Sequence, residues 1–408
     1  MKKYLLFICF VLSRFSTYGF DAHVSKWYVD TSGTCYSAVL DTGINPYTLG
    51  IAANWRPART YVYYSSRKEK DATSTQTNIR KDGTFSSFLP FFKRSTDDTL
   101  LKVAPDTSVW VWNAQSTLFN IKGFEIENKD PLGRYNAGLY GYDYTLPTAV
   151  VQNSHFREAL YEGFEDYDFA TNGNIVCQVS RNFDYSTFKN QFDSLNAHSG
   201  IRSIRVTKNN PVAVGANIVS QDDDSFSFTV KTAINPCAAK DTILTAIRAD
   251  AKVVLPSFSP YAGKKMLVSV WVKEGAICNC ATYTHADISI KTGTLTVTAV
   301  PSGNIIEGWQ RIEKVIDIPS GATTFTVTFN SSSDSNVYFD DLRIHPYNAN
   351  MKSYAYDPIS LRLMAELDEN NYASFYEYDD DGTLIRVKKE TERGIKTISE
   401  SRSALIKE

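Results

Sequence analysis

The chain has little that a catalyst would need. Its five histidines, His23, His155, His198, His285 and His345, are scattered and belong to no nucleophile motif. It has no Gly-x-Ser-x-Gly elbow, no His-Glu-x-x-His pair and no phosphate-cradling glycine loop. A basic block is also missing: 43 Lys and Arg face 45 Asp and Glu, for a net charge of −2. Nucleic acid is therefore excluded as an expected partner. With 21 Gly and 14 Pro in 408 residues, neither collagen-like structure nor general disorder is expected.

Long apolar runs are absent beyond the first residues. Lys2 and Lys3 form a positive start, Tyr4 to Leu12 is apolar but too short to span a bilayer, and Arg14 closes the run. Thr17 and Gly19 are small residues at −3 and −1 of a cleavage site. The pattern predicts a signal peptide over 1–19, a secreted or cell-surface location, and no membrane span after cleavage. Cys9 lacks the small neighbours of a lipoprotein site. Five cysteines then remain: Cys35, Cys177, Cys237, Cys278 and Cys280. Export permits disulfides, and the odd count leaves one thiol over. Cys278, Cys280 and His285 do not have zinc-finger spacing, so a loop pair bonded to Cys237 or left reduced is the expectation.

Aromatic residues are what the chain has in quantity, 24 Tyr and 23 Phe. They sit in short alternating runs between turn residues, such as Thr60–Tyr64 and Ser108–Trp112, where Trp110 and Trp112 share a face. Residues 20–150 read as a β-rich N-terminal region. His155–Glu162 reads as a short linking helix. Residues 160–347 read as an antiparallel sandwich. There Met266, Val268, Val270 and Val272 form one strand face, with Ser269, Trp271 and Lys273 opposite. Ile288 and Ile290 run through Thr292-Gly293 into Leu295 and Val297 as a hairpin, and Phe325, Val327 and Phe329 alternate with threonines. Ala238–Ala251 reads as an irregular excursion. In residues 351–390, Tyr356-Asp357 and Tyr378-Asp379 lie 22 residues apart. Tyr376 and Tyr378 share a strand face before an Asp381-Gly382 turn. The charged tail, residues 391–408, reads as a frayed strand or a solvated end. The fold class expected is mainly β: a jelly-roll sandwich with a β-rich N-terminal region and C-terminal hairpins.

Two acidic clusters, Glu125, Glu127 and Asp130, and Glu162, Glu165, Asp166 and Asp168, read as solvated faces. A glycosidase pair would need a fixed carboxylate gap that sequence does not show, so no enzyme is expected.

Five segments resemble galactose-binding-like jelly-roll carbohydrate-binding modules, in that family's order: Gly163–Asp166, Ala197–Val206, Leu267–Lys273, Gly308–Arg311 and Val337–Ile344. The resemblance implies sugar binding in some members and a structural calcium in others. Carried over, calcium would be held by Glu165 and Asp341, with backbone carbonyls completing the shell. A glycan platform needs exposed rings, and Trp271 and Tyr283 are the candidates. From Tyr354 onward, Tyr356-Asp357, Leu361–Leu363, Leu367–Asn370, Tyr376–Asp379, Gly382 and Leu384 resemble the RHS/YD-repeat family. Phe124–Asp130 with Tyr140–Tyr142, and the order of parts, resemble surface proteins of Bacteroidetes. Together these imply a non-catalytic surface scaffold or adhesion protein that docks other β-rich modules. The alternative is a carbohydrate-binding protein that grips a glycan with its sandwich.

Overall fold

Period-two patterning runs through most of the chain, and the computed structural model is built almost wholly of antiparallel sheet. It describes residues 56–64, 67–68, 84–85, 88–94, 101–103, 105–120, 122–142, 144–167, 183–220, 228–235, 238–249, 256–276 and 280–401. The expected signal peptide and every cysteine except Cys280 lie outside these residues. Cys280 is in a disulfide, so its bonded sulfur belongs to one of the other five.

The mainly-β sandwich is present. One sheet orders the strands Phe192–Asp193, Ser203–Val206, Val337–Pro346, Lys265–Glu274, Trp309–Asp317 and Ser302–Ile306, and Leu160–Glu162 also pairs with Val337–Pro346. The facing sheet orders Val212–Asn217, Thr324–Ser331, Ala286–Thr292 and Leu295–Ala299. Between them lie the residues the alternation pointed inward: Met266, Val268, Val270, Val272, Ile288, Ile290, Phe325, Val327 and Phe329. Phe329 meets Phe339 of the other sheet at 5.0 Å between ring centroids. Burying each such side chain contributes about 1.5–3 kcal/mol. The hairpin at Thr292-Gly293 forms as patterned, with Thr292 opposite Leu295 and Gly293 at φ +59°, where a residue without Cβ is least strained.

The second body is a ten-stranded sheet. Its order is Arg59–Tyr63, Trp110–Phe119, Glu125–Lys129, Tyr135–Gly141, Leu146–Gln152, Asn350–Tyr356, Leu363–Leu367, Ala373–Tyr378, Leu384–Thr391 and Gly394–Glu400. The segment before the sandwich and the hairpins after it, separate stretches in the sequence reading, are thus one sheet. Gln152 pairs with Asn350, so the sandwich is an insertion between two hydrogen-bonded neighbours. The turn at Asp381-Gly382 forms, with Gly382 at φ +83°.

Two local expectations are corrected. The linking helix at His155–Glu162 is a 3-10 turn, Phe156–Glu158, followed by the strand Leu160–Glu162, because that segment pairs with Val337–Pro346. Ala238–Ala249 is a strand paired with Phe228–Asn235, with register shifts at Lys231/Thr232 and Ile234/Asn235; cross-strand pairing overrides the high helix propensity of its alanines. The tail as far as Glu400 is an edge strand, Gly394–Glu400, exposed from Lys396 on.

One face of the ten-stranded sheet carries small or aliphatic residues: Ala137, Leu139, Ala149, Val151, Met351, Ala355, Leu367 and Ala373. Small residues let a sheet approach closely. This face packs on Ala159 and Tyr161 of the sandwich. The strand Val337–Pro346 is consequently buried along all ten residues, with a sheet on each side. The molecule is a three-layer β stack.

Candidate functional site

The seam between the ten-stranded sheet and the sandwich holds a dense polar network. Arg343, 1% exposed, donates from Nε and Nη2 to Ser353 Oγ at 3.0 and 2.7 Å. It also donates to the carbonyls of Leu367 at 2.9 Å and Asp368 at 2.6 Å. Burial lowers its pKa to about 10, so it stays cationic at neutral pH. The adjacent turn Asp368–Tyr372 docks on the same face. Trp271 Nε1 donates to the Asn371 carbonyl at 2.8 Å, Asn371 Nδ2 donates to Ser269 Oγ at 3.2 Å, and Arg311 donates to the Asn370 carbonyl.

His198 lies flat on Trp271, with ring centroids 4.3 Å apart. Its Nδ1 is 2.7 Å from Asp341 Oδ2 and its Nε2 is 3.1 Å from Glu390 Oε1. Burial works against the imidazolium, but Glu390 and Asp341 outweigh it and raise the pKa to about 9. Asp341 Oδ1 accepts from Tyr161 and Ser199 hydroxyls, each at 2.7 Å. Asp340 accepts from the His198 and Ser199 amides; burial and the neighbouring Asp341 push its pKa well up.

Glu165 is 4% exposed. Its Oε1 accepts from the amides of Ile201 at 2.6 Å and Arg202 at 2.8 Å, while Oε2 has no partner. Burial raises its pKa to about 8. Gly200 at φ +65° makes this approach possible: a Cβ there would lie 2.1 Å from Glu165 Oε1. Of the acidic clusters expected as solvated faces, Glu127, Glu162 and Glu165 are buried, Glu125 and Asp166 are exposed, and Asp168 lies outside the described residues. Side-chain hydroxyls and backbone amides compensate the buried ones, which a sequence does not display.

Neither residue expected to form a glycan platform is exposed. Trp271 is 1% exposed and Tyr283 is 7% exposed. Tyr283 donates its hydroxyl to the Gly308 carbonyl at 2.8 Å. Trp271 does point away from the sandwich core, as its strand pattern required. The ten-stranded sheet then covers it. Glu165 and Asp341 share one buried region, and the pKa of Glu165 is raised partly by Asp341. An orphaned buried oxygen beside close carboxylates suits a hard cation. Among the described residues, however, no group of three or more His, Cys, Asp or Glu is arranged around a metal position. Backbone carbonyls would have to complete the shell.

The opposite, outward face of the ten-stranded sheet carries a feature the hairpin reading only touched. On this face Tyr354 pairs with Glu366 and Glu366 with Ser374, next to Tyr376; Tyr140 lies two strands from Tyr354, paired with Pro147 of the strand between, and these tyrosines, with Tyr356 and Tyr378, are part-exposed. Phe124, 42% exposed, stacks on Tyr140 with centroids 5.3 Å apart and planes 8° from parallel. Tyr376 donates to Glu366 Oε2 at 3.2 Å. Gly138 gives the Tyr140 ring its bed: a Cβ there would meet the ring at 3.3 Å. Where the sheet meets the sandwich a cleft opens, lined by Leu139, Tyr140, Tyr161, Glu162, Glu165 and Tyr354. The period-two rule identified Tyr376 and Tyr378 as one face. That Tyr140 and Tyr354 share this face, separated by one strand, became visible only with the strand order.

No family model matches the chain, and no curated protein matches it. Among solved structures, a family 16 carbohydrate-binding module aligns with a TM-score of 0.23 and 9% identity, over 40% of this chain and 89% of that one. The CBM22-1–GH10 modules of Clostridium thermocellum xylanase 10B, complexed with xylohexaose, align with a TM-score of 0.22 and 15% identity, over 39% of this chain and 24% of that one. The CBM22-1 xylan-binding domain of Paenibacillus barcinonensis Xyn10C gives a TM-score of 0.21 and 10% identity, over 38% of this chain and 78% of that one. Likeness at this level carries no argument about ligand or family. Among the described residues no helix is long and apolar enough to cross a membrane.

Proposed function

We propose that the chain is a non-catalytic, secreted or surface-held carbohydrate-binding protein. Its sugar platform is the tyrosine face of the ten-stranded sheet, and the sandwich is its structural support. The observation that carries this reading is the run of part-exposed rings from Phe124 through Tyr140 and Tyr354 to Tyr376. Flat aromatic faces stack on apolar pyranose faces, and Tyr keeps a hydroxyl for hydrogen bonding. Asn128 and Asn136, hydrogen-bonded to each other at 3.0 Å, add amide groups on the same face. Calcium, if bound, would be held by Glu165 and Asp341 and would neutralise buried carboxylates.

The scaffold reading, in which RHS/YD-like hairpins dock further β modules, has one observation in its favour. Arg343 and Trp271 tie the sandwich to the sheet through hydrogen bonds to the Leu367, Asp368 and Asn371 carbonyls. A glycan array probed with the intact chain and with Tyr354→Ala/Tyr376→Ala decides between them. Hits lost in the double variant are expected. An empty array at high sugar density overturns the carbohydrate reading.

A further inference from the structure

The outward face of the ten-stranded sheet has a length and a charge balance that define its ligand more narrowly. The rings do not cluster at one point. Phe124 precedes the Glu125–Lys129 strand, and Tyr376 lies on Ala373–Tyr378, five strand spacings away in the sheet order. Neighbouring strands are 4.7–4.9 Å apart, so the run is about 24 Å long and crosses the strands. A single sugar would cover one ring and leave the others wet.

The charges on this face are answered locally. Lys352 Nζ lies 3.7 Å from both Glu366 Oε1 and Glu369 Oε1. Arg362 sits over the Tyr378 ring at 5.7 Å. Burial, with Glu125 near Tyr140 and Glu366 near Tyr354 and Tyr376, raises the pKa of these tyrosines, so the face has no field that would draw a polyanion.

We infer that this face takes an extended, uncharged, linear glycan of several pyranose units, laid across the strands from Phe124 towards Tyr376. The inference rests on the carbohydrate reading above and goes beyond it in naming chain length and charge. Tyr140, Tyr354 and Tyr376 stand on every second strand, about 10 Å apart, so they contact alternate sugars and affinity rises with the number of units until the row is filled.

The test is a calorimetric titration of the intact chain with cello-, xylo- and manno-oligosaccharides of two, four and six units, and with oligogalacturonate of six units as the charged probe. The expected result is at least tenfold tighter binding of a neutral hexasaccharide than of its disaccharide, and weaker binding of the galacturonate. Tyr354→Ala and Tyr376→Ala each lose tenfold or more on the hexasaccharide, while Tyr354→Phe, which keeps the ring, stays within threefold. Melting curves identify any variant that fails to fold, and Tyr354→Phe then decides for that position. Binding that does not change with length, or galacturonate binding as tightly as the neutral chains, overturns this inference while leaving sugar binding intact. No binding by any saccharide here or on the array overturns both.

Discussion

Glu390, from the Leu384–Thr391 strand of the ten-stranded sheet, reaches His198 of the sandwich and sets its Oε1 3.1 Å from Nε2. Its Oε2 accepts from the Ala373 amide at 3.0 Å. One carboxylate thus ties the sandwich to two hairpin strands. Because the His198 pKa is raised to about 9 from an ordinary 6.5, the folded state holds a proton that the unfolded chain releases earlier. Its stabilising effect is complete below about pH 6.5 and is lost as pH rises through about 9. We expect the melting temperature to fall between pH 7 and 10, and to fall less in Glu390→Gln, whose His198 is less strongly protonated. Thermal melts across that range check it.

Arg343 fills its donors with Ser353 Oγ and the Leu367 and Asp368 carbonyls. Arg343→Ala leaves those acceptors buried and unmet, at about 1–3 kcal/mol each for partners that water cannot reach. Loss of several kcal/mol in urea unfolding is expected. Arg343→Lys recovers only part, since an ammonium cannot reproduce the forked geometry.

Gly200→Ala places a methyl group 2.1 Å from Glu165 Oε1 at φ +65°. Backbone strain alone costs about 1–3 kcal/mol, and Glu165 must also move. Gly263 at φ +74° has nothing within 4 Å of a Cβ, so Gly263→Ala isolates the strain. The expected order of stability, by denaturant midpoint, is wild type, then Gly263→Ala, then Gly200→Ala.

Calcium, if it occupies the Glu165 region, raises the melting temperature, and a chelator lowers it. The gain grows as pH rises through about 8, where Glu165 ionises without a bound cation. In Glu165→Gln the calcium dependence disappears. Differential scanning fluorimetry with and without EDTA reads this directly.

Much of the fold was legible because period two is a local property. The Met266–Val272 face, the Thr292-Gly293 hairpin and the Phe325–Phe329 alternation follow from side-chain alternation alone. What was not legible depended on partners distant in sequence. Nothing local says that Gln152 and Asn350 are neighbours, or that Trp271, correctly turned outward, meets Asn371. The same holds for the tyrosine face: Tyr376 was readable on its strand, but its placement two strands from Tyr354 and four from Tyr140 is set by the strand order. The charges of the tail marked its exposure but not its partner. Gly394–Glu400 is an exposed edge strand, where Lys396 and a bulge at Ile398 are the features that discourage further pairing.

The central claim is that the ten-stranded sheet seals the outer face of the sandwich, leaving sugar to the other side of the sheet. The most direct measurement is solvent exchange of the Trp271 indole Nε1–H by NMR, assigned through Trp271→Phe. The account predicts protection comparable to core backbone amides, unchanged by added glycan. An indole proton that exchanges at the rate of an exposed tryptophan, or shifts when sugar is added, contradicts it.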